Sequence, residues 1–269
     1  MLTVPSGSGQ KRRNEKRKNM STDFIEKMYR ELSEAYPYRV ELHAHTSPAS
    51  PCSEIPPEVL VEMYAEKKVD AVCITNHYTP ALMRESGKSR EQAVADYLED
   101  YYRTKEAGEK CGIRVILGAE LRFVEGPNDY LIFGIDEADI DAFYDYMGGT
   151  MQDFRQNWHK DGAFFLQAHP FRNKMTVAET ELLDGMEVFN MHPNHNSRVG
   201  IAAEHIVREG LIPTVGTDFH HPGHQALGLL RAKTLPETSN DIAELLCSRD
   251  YLMETGGFLI VPPPDCEKE

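Results

Sequence analysis

The sequence is poor in cysteine, and its few cysteines form no recognisable framework. Five cysteines are scattered over 269 residues, and none belongs to a CxxC pair. Disulfide-stabilised secreted domains need paired cysteines at short spacings. We therefore expect the thiols of this protein to be reduced and the protein to be cytoplasmic.

Long hydrophobic runs are also missing. The longest, such as Val115–Ala119 and Phe258–Val261, fall far short of the roughly 18–20 apolar residues that a membrane-spanning helix needs. No apolar stretch follows the basic N-terminal residues, so they do not form a secretory signal. With 41% hydrophobic and 27% charged residues, the composition is that of a globular protein with no membrane contact.

Positive charge is scarce outside the N-terminus. The chain has 29 Lys and Arg against 43 Asp and Glu, a net charge of −14, yet Lys11–Lys18 is strongly basic. An acidic body repels polyanions, which argues against general nucleic-acid binding and leaves only a short nucleic acid as a substrate. We predict a disordered basic leader over residues 1–20 and one domain over residues 21–269.

Short apolar runs that fit buried strands alternate with amphipathic helical patterns. The expected strands are Arg39–His45, Asp70–His77, Arg114–Phe123, Tyr130–Ile135, Ala163–His169, Gly185–Asn190 and Ile212–Asp218. The expected helices are Pro56–Lys68, Glu91–Cys111, Ile140–Lys160, Ser197–Glu209 and Ser239–Ser248. This alternation predicts an α/β fold with a mostly parallel sheet.

Polar side chains fall at the ends of six of these seven strands, and only the fourth strand contributes none. In an α/β barrel the C-terminal strand ends converge on one face. His43 and His45 project from the same side of their strand, because side chains repeat every two residues. Asp218 and His220 repeat this spacing. The candidate metal ligands are His43, His45, His77, Glu120, His169, Asp218 and His220.

This set of five histidines and two carboxylates exceeds what one four-coordinate ion uses. It predicts two or three ions, and its nitrogen content suits Zn, Mn or Fe better than Mg or Ca. Taken singly, the residues allow plainer interpretations. Glu120 could pair with Arg122, and His169 could be an ordinary core histidine.

Six short segments carry these polar strand ends in a fixed order. They are Leu42–Ser47, Ile74–His77, Gly118–Glu120, Ala168–Arg172, Glu187–Asn190 and Gly216–His220. In this order they resemble the motifs of the PHP (polymerase and histidinol phosphatase) superfamily of metal-dependent phosphoesterases. The resemblance implies a distorted TIM-like (β/α)7 barrel with the metal site at the C-terminal ends of the strands. It also implies the same seven metal ligands, with Glu120 as the bridging carboxylate.

The chain departs from the family pattern in three places. Ser50 lies near the position where many relatives have an acidic residue, which puts the third ion in doubt, with Cys52 nearby as a soft alternative ligand. Asn76 replaces the usual Asp of the second motif and is expected to orient the neighbouring histidine as a neutral partner. His192 and His195 follow the sixth strand and are candidates for the missing ligand, or else surface loop residues.

The predicted chemistry is hydrolysis of a phosphate ester. Two neighbouring cations lower the pKa of a shared water, so the expected nucleophile is a metal-bridged hydroxide. Arg172 and Arg198 are the candidate phosphate clamps, with surface ion pairs as their plainer interpretation. Asp218 or His220 is the candidate proton donor to the leaving oxygen, although a metal-bound residue is less free to act so.

Three functions remain open at this point. The first is a phosphomonoesterase acting on a small phosphorylated molecule such as histidinol phosphate or a nucleotide. The second is a phosphodiesterase or exonuclease acting on short nucleic acids. The third is a non-catalytic, metal-stabilised PHP module, which the full set of ligand types disfavours.

Overall fold

The computed structural model describes the backbone of residues 8–264 and the side chains of residues 22–264. Its first helix, α1, spans Ser8–Ala35. The basic leader predicted over residues 1–20 overlaps this helix from residue 8 onward, and residues 1–7 lie outside the described residues. Between Gly9 and Pro37 the sequence has neither glycine nor proline and is rich in Lys, Arg and Glu, which favours a helix.

Strands and helices alternate along the rest of the described chain. The strands are β1 (Tyr38–Ala44), β2 (Ala71–Ile74), β3 (His77–Tyr78), β4 (Arg114–Leu117), β5 (Ala119–Arg122), β6 (Asp129–Phe133), β7 (Phe164–Gln167), β8 (Gly185–Asn190), β9 (Ile212–Gly216), β10 (Gly228–Ala232), β11 (Leu252–Thr255) and β12 (Phe258–Ile260). The further helices are α2 (Pro57–Glu66), α3 (Pro80–Met83), α4 (Arg90–Cys111), α5 (Glu137–Phe143), α6 (Met151–Asn157), α7 (Val199–Glu209) and α8 (Ser239–Ser248).

The described strands form two six-stranded sheets, and hydrogen-bonded strand pairing does not close them into a single barrel. One has the order β12-β11-β10-β1-β2-β4, and the other has the order β3-β5-β6-β7-β8-β9. The fold is mixed α/β, as predicted, and β1, β2 and β4 are parallel, as are β7, β8 and β9. The expectation of a mostly parallel sheet fails at β6, which is antiparallel to both neighbours, and at β10–β12.

Two of the predicted strands are bent into pairs, so that each contributes to both sheets. The first bends between β2 and β3, and the second bends at Gly118, between β4 and β5. Hydrogen bonds continue across the bends, from Gly118 N to Ile74 O at 3.0 Å and from Glu120 N to Asn76 O at 3.1 Å. A Cβ at Gly118 would lie 2.9 Å from Thr75 and 3.0 Å from Phe133, so only glycine fits this close approach.

The two sheets also meet where β1 ends. Ala44 forms an isolated parallel bridge to Phe219, with hydrogen bonds from Phe219 N to His43 O and from His45 N to Phe219 O. Glu41, fully buried on β1, accepts hydrogen bonds from the backbone N–H groups of His43 and Thr217 at 3.0 and 2.9 Å. These bonds align the two chain segments that carry the His43–His45 and Asp218–His220 pairs.

The helices begin and end where the sequence supplies caps. Ser89 and Thr238 cap the N-termini of α4 and α8, and α4 ends at Gly112 in the left-handed conformation. The single helix expected over Ile140–Lys160 is instead divided into α5, a short 3-10 turn and α6. Gly148 and Gly149 interrupt it, and Thr150 starts α6 with a capping box to Asp153.

One apolar core runs through both sheets, from Val40 to Met253. Helices α2, α4, α7 and α8 contribute buried residues to it. Among the described helices, none is both long enough and apolar enough to cross a membrane.

Candidate metal centre

Seven predicted ligands meet at one edge of the two sheets, within 22–264, the part of the chain whose side chains are described. His43 is in β1 and His45 follows it; His77 is in β3 and Glu120 is in β5; His169, Asp218 and His220 lie in the loops after β7 and β9. All are buried except His77, whose side chain is 16% exposed. The predicted strand ends therefore converge as the sequence pattern indicated.

The carboxylate of Glu120 is the hub of this cluster. Its Oε1 lies 3.2 Å from His43 Nε2 and 3.2 Å from His169 Nε2. Its Oε2 lies 2.8 Å from His77 Nδ1 and 3.3 Å from His45 Nε2. One carboxylate thus faces four imidazoles. The alternative pairing with Arg122 does not occur, because Arg122 binds Asp129.

The hydrogen-bond network determines which ring nitrogen of His45 carries the hydrogen and which faces the cluster. Its Nδ1 lies 3.2 Å from Ser50 Oγ, and the Ser50 hydroxyl donates to Asn76 Oδ1 at 2.9 Å, so Nδ1 is the donor. Burial and the neighbouring imidazoles lower the pKa of His45 well below its usual value, so the ring is neutral. Its Nε2 then presents a lone pair 3.3 Å from Glu120 Oε2 and 3.4 Å from Asp218 Oδ1.

A cation fits between these imidazole nitrogens and carboxylate oxygens. Among the side chains of residues 22–264, His43 Nε2, His45 Nε2, His77 Nδ1 and Glu120 Oε2 are buried and make no hydrogen bond of acceptable geometry despite these short distances. A buried polar atom without such a bond is costly. Three sets of potential ligand atoms lie within 4.8 Å of one another: His45–His77–His220, His43–His45–Asp218 and His77–Glu120–Asp129. Imidazole nitrogens and carboxylate oxygens are both common ligands of metal ions, so the donor set fits a cation.

The imidazole of His43 is held by a second carboxylate. Its Nδ1 lies 3.1 Å from Glu187 Oε1, and Glu187 Oε2 accepts from the His169 backbone N–H at 2.9 Å and from the Asn190 amide at 2.9 Å. A carboxylate behind a ligating histidine orients the ring and raises its basicity. Sequence analysis noted Glu187 within a motif but gave it no role.

Burial and charge act in opposite directions on the two central carboxylates. Burial alone would raise the pKa of Glu120, but the imidazoles of His77 and His43 hold it well below its usual range. The pKa of Asp218 is likewise held well below its usual range, because His43 and Arg172 outweigh the effect of burial. Both groups are therefore ionised at neutral pH, as cation binding requires.

Backbone strain coincides with two of the ligands. His169 and Asp218 have φ angles of 32° and 56°, in a region that residues other than glycine rarely adopt. Each lies in the loop that follows a buried strand, where the chain must turn sharply while its side chain stays in the cluster. Such conformations persist where the surrounding structure holds them and concentrate at functional sites.

Asp129 is a site residue that sequence analysis missed. The pattern of polar strand ends predicts a ligand at the C-terminal end of the fourth strand only if this strand is parallel to its neighbours. Because β6 is antiparallel, its first residue, Asp129, lies at the ligand edge instead. Its carboxylate is buried, binds Arg122 through both oxygens at 2.6 Å and lies 3.7 Å from His169 Nε2.

The two predicted phosphate clamps have different positions. Arg172 lines the cavity above the cluster and contacts Asp218 Oδ2 and, at 2.7 Å, Asn190 Oδ1. Arg198 does not line this cavity. Its guanidinium binds the Phe171 carbonyl and Asn173 Oδ1, so the predicted role of Arg198 as a phosphate clamp stays a prediction.

His192 and His195 lie beside the cluster but belong to none of the ligand sets found among the described residues. The His192 ring contacts those of His220 and His195, with centroids 5.6 and 4.6 Å apart. Its Nδ1 accepts the Asn194 backbone N–H at 3.2 Å, and burial lowers its pKa to about 4. The neutral ring therefore carries its hydrogen on Nε2 and is a hydrogen-bond donor rather than a ligand in this arrangement.

Ser50 and Cys52 differ in what they contact. Ser50 Oγ receives the His77 backbone N–H at 2.8 Å as well as the His45 ring N–H, so it orients two ligands instead of supplying the missing acid. Cys52 is an exposed thiol in the cavity wall. Burial would raise its pKa, but hydrogen bonds with His220 and His77 lower it to about 6.

The cluster opens into a cavity of about 620 Å³. The floor includes His77, Asp129, His169, Asp218 and His220, and the wall includes Arg122 and Arg172. The rim is rich in amides and imidazoles, among them Asn173, Asn194, His195, Asn196 and His221, and it includes Lys174. This size accommodates a small organic molecule.

Comparison with known proteins identifies the family. The model of the PHP domain matches residues 41–255, most of the chain, so this protein belongs to the PHP domain family. No curated protein matches the sequence.

Two solved structures are similar in fold. One is a two-domain protein from Bacteroides vulgatus ATCC 8482 that contains a predicted PHP-like metal-dependent phosphoesterase, with a TM-score of 0.55 and 18% identity. The match covers 82% of this chain and 66% of that chain, so this chain spans just under two thirds of its length. The other is PsfC from Pseudomonas syringae PB-5123, with a TM-score of 0.53, 14% identity and coverages of 77% and 87%.

Proposed function

We propose that this protein is a metal-dependent hydrolase of phosphate esters that acts on a small phosphomonoester. The observation that carries the proposal is the buried cluster around Glu120, in which unpartnered imidazole and carboxylate atoms face one another at the floor of a cavity. Membership of the PHP family supports the same reaction class.

We propose two or three divalent ions, drawn from Zn, Mn and Fe. The residues that would hold them are His43, His45, His77, Glu120, Asp129, His169, Asp218 and His220. When bound, such cations lower the pKa of water and neutralise the charge that develops on a phosphoryl group. His220 donates from Nδ1 to the Asp218 carbonyl at 2.9 Å, which leaves its Nε2 lone pair for a cation.

The chain's own groups prepare the cavity for an anionic substrate. Arg172 supplies positive charge beside the floor and is the remaining candidate for a phosphate clamp. His192 Nε2 carries a hydrogen that can be donated to a substrate oxygen. Asp218 and His220, the two candidate proton donors, are committed as ligands, so we assign neither of them the transfer of a proton to the leaving group.

We also infer that the two sheets together form the distorted (β/α)7 barrel of this family. Three features support this: the bends that pass strands from one sheet to the other, the bridge from Ala44 to Phe219, and the Glu41 hydrogen bonds that join β1 to the segment after β9. The convergence of the seven predicted ligands, which come from five strands, at one edge is the arrangement that a barrel mouth produces.

A phosphate-release assay tests the proposed function. Protein loaded with Zn, Mn or Fe would be incubated with a panel of small phosphomonoesters, with bis(4-nitrophenyl) phosphate and with short oligonucleotides. We expect metal-dependent release from monoesters, little turnover of diesters, and loss of release in Asp218→Asn. Turnover confined to diesters or oligonucleotides would favour the phosphodiesterase alternative, and metal binding without any turnover would favour a non-catalytic module.

A further inference from the structure

The loop that follows β7 carries a positive charge that has no acidic partner. Lys174 lines the rim of the cavity and is exposed, and it makes no ion pair with any residue in the described part of the chain. The other two positively charged side chains of the cavity wall already pair with carboxylates. Arg122 binds both oxygens of Asp129, and Arg172 binds Asp218.

The backbone holds Lys174 in place. Its φ is 74°, a conformation that costs energy for any residue other than glycine. Hydrogen bonds fix the loop on both sides, from Met175 N to Arg172 O at 3.1 Å and from Thr176 N to Asn128 Oδ1 at 2.9 Å. Lys174 is therefore presented at the rim by an anchored loop.

Two amides stand with Lys174 on the rim, and Arg198 determines which of their atoms remain free. The guanidinium of Arg198 donates to Asn173 Oδ1 at 2.5 Å, and its backbone N–H donates to Asn196 Oδ1 at 3.1 Å. With both oxygens engaged, each amide offers its NH₂ group. The rim thus combines one cation with two sets of N–H donors, and the carboxylates of the cavity, Asp129 and Asp218, line its floor.

We propose that Lys174, with Asn173 and Asn196, binds a second anionic group of the substrate, a carboxylate or a second phosphate. The inference rests on the proposed function, in which the ester phosphate is held at the cluster on the cavity floor. A chain with a net charge of −14 repels anions in general, so an unmatched cation at the mouth of its cavity gives local selectivity for them.

The test uses phosphonates, which cannot be hydrolysed, with the metal-loaded protein. An alkylphosphonate is compared by calorimetry with the ω-phosphonocarboxylate and the α,ω-bisphosphonate of the same chain length, over chains of two to four carbons. We expect at least one doubly anionic compound to bind about tenfold more tightly than its alkyl counterpart, as a hydrogen bond between charged groups allows. If the ω-phosphonocarboxylate binds more tightly, the second anionic group is a carboxylate; if the bisphosphonate does, it is a phosphate.

Substitutions of Lys174 test whether this residue causes the tighter binding of the doubly anionic compounds. Lys174→Met should abolish the preference, and Lys174→Arg should retain it. Lys68→Met is the matched control, because Lys68 is also exposed with a positive φ of 56° and lies outside the cavity, so the preference should remain. Metal content is measured for each variant after the titration.

The outcomes separate this inference from the proposed function. Equal binding of all three compounds by the unmodified protein, or a preference that survives in Lys174→Met, would overturn the inference while phosphate release by the enzyme still stands. If no phosphonate binds the metal-loaded protein, the cavity is not a phosphate site, and both the inference and the proposed function fail.

Discussion

Glu120 and Asp218 are the residues on which the account depends most. Each is a buried, ionised carboxylate with a lowered pKa, and each faces imidazole nitrogens at 2.8–3.4 Å. Ionised carboxylates are rarely buried without partners, because their desolvation is costly. Bound cations would offset that cost, which links the local electrostatics to the proposed metal dependence.

Asp218→Asn tests this link at a single position. Removal of one negative charge should lower metal affinity at least tenfold and abolish phosphate release, whereas Arg172→Met should retain metal and mainly raise KM. Elemental analysis and steady-state kinetics measure both effects. An Asp218→Asn protein with full metal content and full activity would show that the ligands are misassigned.

Glu187→Gln tests the carboxylate behind the ligands. Because Glu187 holds the His43 ring and the His169 backbone, its neutralisation should lower metal affinity by about 10–100-fold while the protein remains folded. Isothermal titration of the metal-free variant measures the affinity, and circular dichroism checks the fold. Unchanged metal affinity would show that Glu187 does not support metal binding through His43 and His169.

Residue types at strand ends were enough to predict which side chains converge at the candidate metal centre, because buried apolar runs ended abruptly in histidine or carboxylate. The same reasoning missed Asp129 and gave no role to Glu187. The position of Asp129 at the ligand edge depends on the direction of β6, and the apolar pattern of that strand does not reveal its direction. Arg198 lies outside the cavity lining and binds the loop after β7, so its predicted contact with substrate stays a prediction.

At the scale of elements, the junction between β1 and the segment after β9 depends on Glu41. Its carboxylate is buried, accepts the N–H groups of His43 and Thr217, and receives the Tyr64 hydroxyl at 2.9 Å. Burial raises the pKa of Glu41 to about 7 despite these hydrogen bonds. The group thus titrates in the folded protein near neutral pH.

Glu41→Gln should alter how stability depends on pH. The folded pKa is about 7 and the unfolded value is about 4.5, so the folded state binds more protons between them and the wild type loses stability as pH rises from 4.5 through 7. The glutamine variant avoids this loss and should gain up to about 3 kcal/mol relative to wild type from pH 4.5 to pH 8. Denaturant unfolding of metal-free protein measures it; a difference independent of pH would contradict the assignment.

Gly118 tests the bend between β4 and β5. Gly118→Ala should destabilise the protein by about 1–3 kcal/mol, because its Cβ would crowd Thr75 and Phe133, and should lower metal affinity by displacing Glu120. Gly200→Ala is the matched control. It lies in α7 with open space around the added Cβ, so it should stabilise by about 0.5–1 kcal/mol.

The alternation of strands and helices could be predicted because apolar runs and amphipathic patterns differ in period. Seven predicted strands correspond to β1–β9, and α8 has the predicted bounds. Strand direction and bends could not be predicted, since a buried strand reads the same in either direction and Gly118 looks like any interior glycine. The hairpin strands β10–β12 were missed because their runs are short and lie beyond the last polar strand end.

At the scale of the molecule, the proposed metal centre couples cation binding to the stability of the fold. Metal binding should stabilise the whole fold, because the ligands come from segments that lie far apart in the chain and assemble only in the native state. At a free metal concentration a hundredfold above Kd, binding adds about 2.7 kcal/mol, so chelation should lower Tm by several degrees. A Tm that does not respond to chelator or added Zn would contradict this coupling.

The most direct test of the central claim is elemental analysis of protein purified without chelator or added metal. The account predicts two or three equivalents of Zn, Mn or Fe per chain, reduced to less than one in Asp218→Asn. Fewer than one equivalent in the unmodified protein, with no uptake of added metal, would show that the converging histidines and carboxylates do not form a metal centre.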